Sequence, residues 1–174
     1  NQELLADQQT RDLADLLYFL NAEKDKFSLR LQSMVKQIGT LDYVPPMKFG
    51  QNLLGITIKE WGEFFQKLQT LGEYEFIIMD LSECMQGLFD IMRMCHRVYT
   101  ITLEDRAANW KLTQYESLLE QYSYEDVLEK TRKCNLPKIR RLPSGLEYYD
   151  RGELADYVLL QLRDLLPEEY EKWN

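Results

Sequence analysis

Glu73-Tyr74-Glu75-Phe76-Ile77-Ile78-Met79-Asp80-Leu81-Ser82 decides how this chain is read. Four consecutive apolar residues, 76–79, predict a buried core strand with Asp80 at its carboxyl end. In open sheets of parallel strands that end faces the ligand. An acid placed there is where nucleotide-binding proteins with a phosphate-cradling loop hold Mg²⁺, directly or through water. The loop itself, G-x-x-x-x-G-K-[ST], occurs nowhere among the 174 residues. The run therefore suits one half of a nucleotide site, with the phosphate-gripping half missing.

Working outward from this run, strand and helix patterns alternate. On the amino side, Thr57-Ile58-Lys59-Glu60 has capping-box spacing and opens a helix carrying Trp61, Phe64, Phe65 and Leu68, which ends near Gly72. Before it, Leu41-Asp42-Tyr43-Val44 reads as extended because Pro45 and Pro46 follow. Phe27, Leu31, Met34, Val35 and Ile38 form a helical stripe stopped at Gly39, and Glu3 to Leu20 carries another, broken by Asp7 to Arg11 and read as one bent helix or two short ones.

On the carboxyl side, Met85, Leu88, Phe89, Met92 and Met94 predict a helix, and Val98-Tyr99-Thr100-Ile101-Thr102-Leu103 a second core strand. Asp105 is placed to cap a helix with Trp110, Leu112, Tyr115, Leu118 and Leu119, and Ser123 with Asp126 resembles another cap. The stretch from Tyr124 to Asn135 reads as helix throughout. After Leu136-Pro137, Lys138 to Leu142 reads as extended, ahead of a turn at Pro143-Ser144-Gly145. A final helix framed by Asp150 and Glu153 buries Leu154, Val158, Leu159, Leu162, Leu165 and Leu166 and stops at Pro167.

This order predicts an α/β fold: a mainly parallel sheet of about four strands covered by helices on both faces, in a single domain over 1–174. Its strand-end rim would gather Pro45-Pro46, Asp80, Ser82 and Glu83, Glu104-Asp105 and Pro143-Ser144-Gly145. Carboxylates dominate that rim, so positive charge for a phosphate must come from elsewhere.

Composition removes several function classes. The net charge is -8, and the longest basic cluster, Lys138-Ile139-Arg140-Arg141, is too short to track a phosphate backbone, so direct nucleic-acid binding is not expected. Three cysteines at irregular spacing, Cys84, Cys95 and Cys134, do not make a disulfide framework. His96 is the single histidine and no C-x-x-C pair exists, so a zinc centre is not expected either. No apolar run approaches the length of a membrane span. The last helix has an apolar stripe, but Glu153, Asp156 and Asp164 give it the wrong sign for anionic lipid, and packing on the sheet is expected. Trp61 and Trp110 fall on apolar helical faces and are read as core, with Trp173 in an exposed tail.

Three segments carry a resemblance to a known family. Glu73 to Ser82 looks like the Walker B strand of the ParA/MinD group of P-loop ATPases, particularly its CpaE-like members. Leu88 to Tyr99 is similar to the helix and strand that follow in that group, and Asp12-Leu13-Ala14-Asp15-Leu16-Leu17-Tyr18-Phe19-Leu20 to the segment after its second strand. The resemblance implies the carboxyl-terminal part of a deviant-Walker ATPase domain, whose intact parent would bind ATP and Mg²⁺. Such a parent would dimerise around ATP and act as a bacterial, cytoplasmic switch, peripheral to the inner membrane through partners, that positions a secretion or pilus assembly.

By the same resemblance Asp80 is an indirect Mg²⁺ ligand once a P-loop is supplied, and Ser82 and Glu83 occupy the loop that senses the third phosphate. Read without it, Asp80 caps the next helix or binds water, and Ser82 and Glu83 begin that helix. Family members also have a strand ending in an Asn that contacts adenine, which the helical reading of 124–135 does not provide. Because the phosphate cradle is absent, this chain alone is expected to be inactive and to need no cofactor. The alternative function is a non-catalytic protein-interaction module that keeps the ATPase scaffold. A sheet lacking its other strands would leave an unpaired edge through which chains could associate.

Overall fold

The computed structural model describes residues 13–22, 26–44, 54–81, 85–139 and 149–166. They form α helices and short β strands in two compact units, Asn1–Cys95 and His96–Asn174. The α/β class is as expected, but no four-stranded parallel sheet is present among these residues. Two two-stranded sheets take its place, one antiparallel and one parallel.

In the first unit, helices α1 (Leu13–Ala22), α2 (Phe27–Met34), α3 (Ile58–Leu71) and α4 (Leu88–Met94) surround one apolar core. Leu16, Leu17 and Leu20 from α1 meet Phe27, Leu31 and Met34 from α2, Trp61, Phe64 and Leu68 from α3, and Ile91 from α4. The rings interlock: Phe64 stands edge-on to both Phe27 and Trp61 at 6.0 Å, and Trp61 stacks on Phe65 at 5.8 Å. The capping box predicted for α3 is present, with Glu60 N donating to Thr57 Oγ1 and Thr57 N donating to Glu60 Oε2. Gly72 closes α3 in the left-handed conformation, as its position in the sequence implies.

Gly39 does something other than stop a helix. Helix α2 ends at Met34, and strands β1 (Lys36–Ile38) and β2 (Leu41–Tyr43) pair as a hairpin with Ile38 opposite Leu41. Gly39 takes φ 60 at the first position of the two-residue turn, where a positive φ suits the twist of paired strands.

The run 76–80 is the main departure. It is not a strand, and Phe76, Ile77 and Ile78 are exposed, Ile78 by 80%. Strand propensity expresses fit to a pleated, half-buried surface, and no described strand runs beside this run to make one. Its flanks hold it instead: Tyr74, Met79 and Leu81 pack against the helical core, and the Tyr74 hydroxyl donates to Asp42 Oδ2 at 3.2 Å.

In the second unit, β3 (Val98–Thr102) and β4 (Thr131–Asn135) pair in parallel, joined by α5 (Arg106–Gln121) and α6 (Glu125–Glu129). The strand predicted at 98–103 is therefore present over Val98–Thr102, but not as a core strand, since Ile101 is 70% exposed. The helical reading of 124–135 is corrected: only α6 is helical, and β4 follows it. Of the extended run predicted at 138–142, residues 138 and 139 belong to no strand and the rest lie outside the described residues, as do Pro45, Pro46 and Pro143 to Gly145.

Side chains alternate across the pair. Val98, Thr100, Thr102, Thr131, Lys133 and Asn135 share one face, and Lys133 meets Glu116 of α5 there. Tyr99, Ile101, Arg132 and Cys134 share the other. Helix α7 (Glu153–Leu162) meets the β4 side of this second face, where Gln161 O accepts from Arg132 Nη1 at 2.6 Å, while Ile101 stays exposed. The expected packing of the last helix on the sheet is seen, though not through the expected stripe: Ala155 is buried, while Val158 and Leu159 are exposed.

Candidate functional site

Strands β3 and β4 end side by side, which builds a rim at their carboxyl ends. Thr102 pairs with Asn135 in register, and the Thr102 hydroxyl donates to Asn135 Oδ1 at 2.5 Å. Leu136 N donates to Thr102 O at 3.0 Å, extending the ladder by one bond. Thr102 is buried and Asn135 exposed. With its oxygen held by Thr102, the exposed Asn135 amide has its NH₂ left as the donor group.

Glu104 and Asp105 follow β3 on the same rim. Asp105 Oδ1 accepts from Ala108 N at 2.7 Å, so this carboxylate caps α5 as the sequence predicts. Glu104 is exposed. The described rim of this unit thus offers two carboxylates and an amide donor, with Arg106 directly after them in the chain. The two carboxylates repel the phosphates of a nucleotide, and Arg106 is the one cation that directly follows them.

Asp80 lies in the first unit, exposed, on the run that is not a strand. Among the described residues it caps no helix, since α4 opens at Gly87. Ser82 and Glu83 lie outside the described residues. Among the described residues no three His, Cys, Asp or Glu side chains come together as a metal-binding group. Tyr74, near the start of the same run, has its phenol pushed above its ordinary pKa by burial and then by its bond to Asp42.

An ion-pair cluster forms at the other end of the strands, between groups that no local spacing connects. Asp164 receives Arg97 Nη2 at 2.8 Å and Arg132 Nη1 at 3.2 Å. All three side chains are over a third exposed, so each pair contributes only about 1 kcal/mol or less. These residues meet across 32 and 67 positions of chain, and no local spacing announces that. Sequence reasoning also missed Asn135 as a strand end, because Thr131-Arg132-Lys133-Cys134-Asn135 has no apolar run.

Beside this cluster the Tyr99 hydroxyl is buried without a hydrogen-bond partner. Burial first, and then Asp164, push its pKa above the ordinary tyrosine value, while Arg97 and Arg132 pull the other way. A raised folded-state pKa means that the folded chain keeps this proton where the unfolded chain loses it. The stabilising contribution is therefore full below pH ~10 and is lost as pH rises through the folded value. Tyr99→Phe is expected to flatten this alkaline loss and, by removing an unsatisfied hydroxyl, to leave neutral-pH stability unchanged or raised by about 1 kcal/mol. Urea unfolding at neutral and alkaline pH measures both, and a loss of more than about 1 kcal/mol at neutral pH would reveal a hydroxyl partner.

No helix among the described residues is long and apolar enough to cross a membrane. No family model, curated protein or solved structure matches this chain.

Proposed function

We propose that this chain is the base-side, carboxyl-terminal portion of a ParA/MinD-like switch domain. In the intact polypeptide that domain uses ATP and Mg²⁺ to position or assemble a secretion or pilus machine. The observation that carries the reading is the parallel β3–α5–β4 unit ending in Asn135. The family resemblance calls for a strand that ends in an Asn contacting adenine, and the free NH₂ of Asn135 has the donor chemistry to meet a ring nitrogen. For Asp80 the role of indirect Mg²⁺ ligand, and for Ser82 and Glu83 that of phosphate sensors, rests on the resemblance alone and requires a phosphate cradle.

The acidic rim sets the limit on the chain alone. A calorimetric titration with Mg-ATP is expected to give no binding in the micromolar range, and micromolar binding would overturn the division of labour argued above. The parent reading frame upstream of Asn1 supplies the complementary test: a glycine-rich loop with a lysine supports the switch, and its absence counts against it.

A second reading, a docking module on a retained ATPase scaffold, draws on the exposed apolar residues Phe76, Ile77 and Ile78. Apolar residues exposed next to one another mark interaction surfaces more often than catalytic ones. The upstream sequence also decides between the two readings.

A further inference from the structure

Helix α5 turns Leu119 inward, with Ala108, Leu112, Tyr115 and Glu116 partly covered beside it. Its opposite face is bare yet carries apolar residues on either side of its centre. Trp110 is 63% exposed, and Leu118 and Tyr122 are exposed with it. Trp110, Gln114 and Leu118 follow one another at four-residue steps, so they lie one above the next on a single stripe. Gln114 stands midway between the indole and the leucine.

Charge on this face is arranged in opposite senses at the two ends. Arg106 opens the helix and Glu120 lies in its last turn, and both are exposed. Fourteen residues of helix bring them to within about 40° of each other around the axis, on one flank of the stripe. Lys133 occupies Glu116, whereas neither Arg106 nor Glu120 enters an ion pair among the described residues.

We infer that α5 is a self-association surface: two copies of this chain pair antiparallel along α5 about a two-fold axis at Gln114. That operation sets Trp110 of one copy at the level of Leu118 of the other and joins the two Gln114 amides. It also places each Arg106 beside the other copy's Glu120. A face with an apolar residue on either side of a central Gln114 and opposite charges at its ends is complementary to itself when reversed, as an isologous dimer requires. The pairing needs no nucleotide and stands independently of the switch reading. One helix face of this length, about 24 Å, covers an area at the small end of specific interfaces, so the dimer is concentration-dependent.

Sedimentation of the 174-residue chain without nucleotide, from about 5 to about 500 µM, tests the proposal in the range where small interfaces operate. The mass should climb from the 20.8 kDa of one chain towards twice that value. The Trp110→Ala, Leu118→Ala double variant should stay monomeric throughout. Arg106→Glu and Glu120→Arg should each weaken association about tenfold, and the two together should restore it to about the original strength. Each charge change favours the helix end on which it sits, so neither should unfold α5, and circular dichroism checks this. A monomer at every concentration assigns the stripe to some other partner and overturns the inference. So does a dimer indifferent to the Trp110 and Leu118 changes, or a charge swap that fails to restore association.

Discussion

Phe27→Ala should destabilise the first unit by about 3–5 kcal/mol, the range for truncating a fully buried aromatic ring. Phe27 has no exposed surface, opens α2, and stands edge-on to Phe64 of α3. Removing its ring leaves a cavity between two helices whose other core residues, Leu16, Trp61 and Ile91, are themselves already packed. The cavity cannot collapse without moving α2 against α3. A loss of this size is a large part of the 5–15 kcal/mol that holds a typical domain folded. Urea unfolding followed by the fluorescence of Trp61 reads it, in a background where Trp110 and Trp173 are phenylalanine. With a slope near 2 kcal/mol per molar, the midpoint should fall by about 1.5–2.5 M. A fall below about 0.3 M would mean that Phe27 is not in the core.

Leu119→Ala should cost the second unit about 2–5 kcal/mol. Leu119 is fully buried on the inner side of α5, and Val127 of α6 is buried equally. The connection between the two helices is fixed beside it, since Tyr124 N donates to Leu119 O at 2.8 Å and Ser123 is held at φ 60. Parallel strands depend on their crossover for cover, so loosening α5 uncovers the Thr100 and Lys133 face of the sheet. Amide hydrogen exchange in β3 and β4 should then accelerate by a factor of about 30 or more, the lower end of that energy range. Unchanged protection would show that the pair is stabilised from its α7 side alone.

What could be read from the sequence was what local chemistry decides. Thr57 with Glu60, Gly72, and Asp105 each act within four residues of themselves, and each does what its position implies. Strand β3 was legible because four of its five residues, Val98, Thr100, Ile101 and Thr102, are β-branched and the fifth, Tyr99, is aromatic. Strand β4 was not, because its residues are polar or charged apart from Cys134 and the strand exists by pairing with β3 more than 30 positions away. The run 76–80 failed in the opposite sense: four apolar residues signal a strand, yet a strand also needs a neighbour, which no local pattern supplies.

Helix faces show the same limit. The apolar residues of α5, Trp110 to Leu119, span about 200° of arc, more than one sheet face can cover, so Trp110 and Leu118 stay outside while Leu119 goes in. In α7 the alternation is similar, and the small Ala155 takes the place expected for the larger Val158 and Leu159.

The candidate site was legible in part. Asp105 was found through its capping role, and the acidity of the rim follows from Glu104 and Asp105 standing directly after β3. Asn135 and its bond to Thr102 come from pairing register, and the Arg97, Asp164 and Arg132 cluster from tertiary packing; neither leaves a trace in spacing.

The switch reading is tested most directly by titrating Mg-ATP into the polypeptide encoded by the whole parent reading frame, wild type beside Asp80→Asn. The account predicts Mg²⁺-dependent binding by the parent that Asp80→Asn weakens about tenfold to a hundredfold, as expected for losing one charge-assisted contact. A parent that binds no ATP, or one whose affinity ignores the loss of the Asp80 carboxylate, contradicts it.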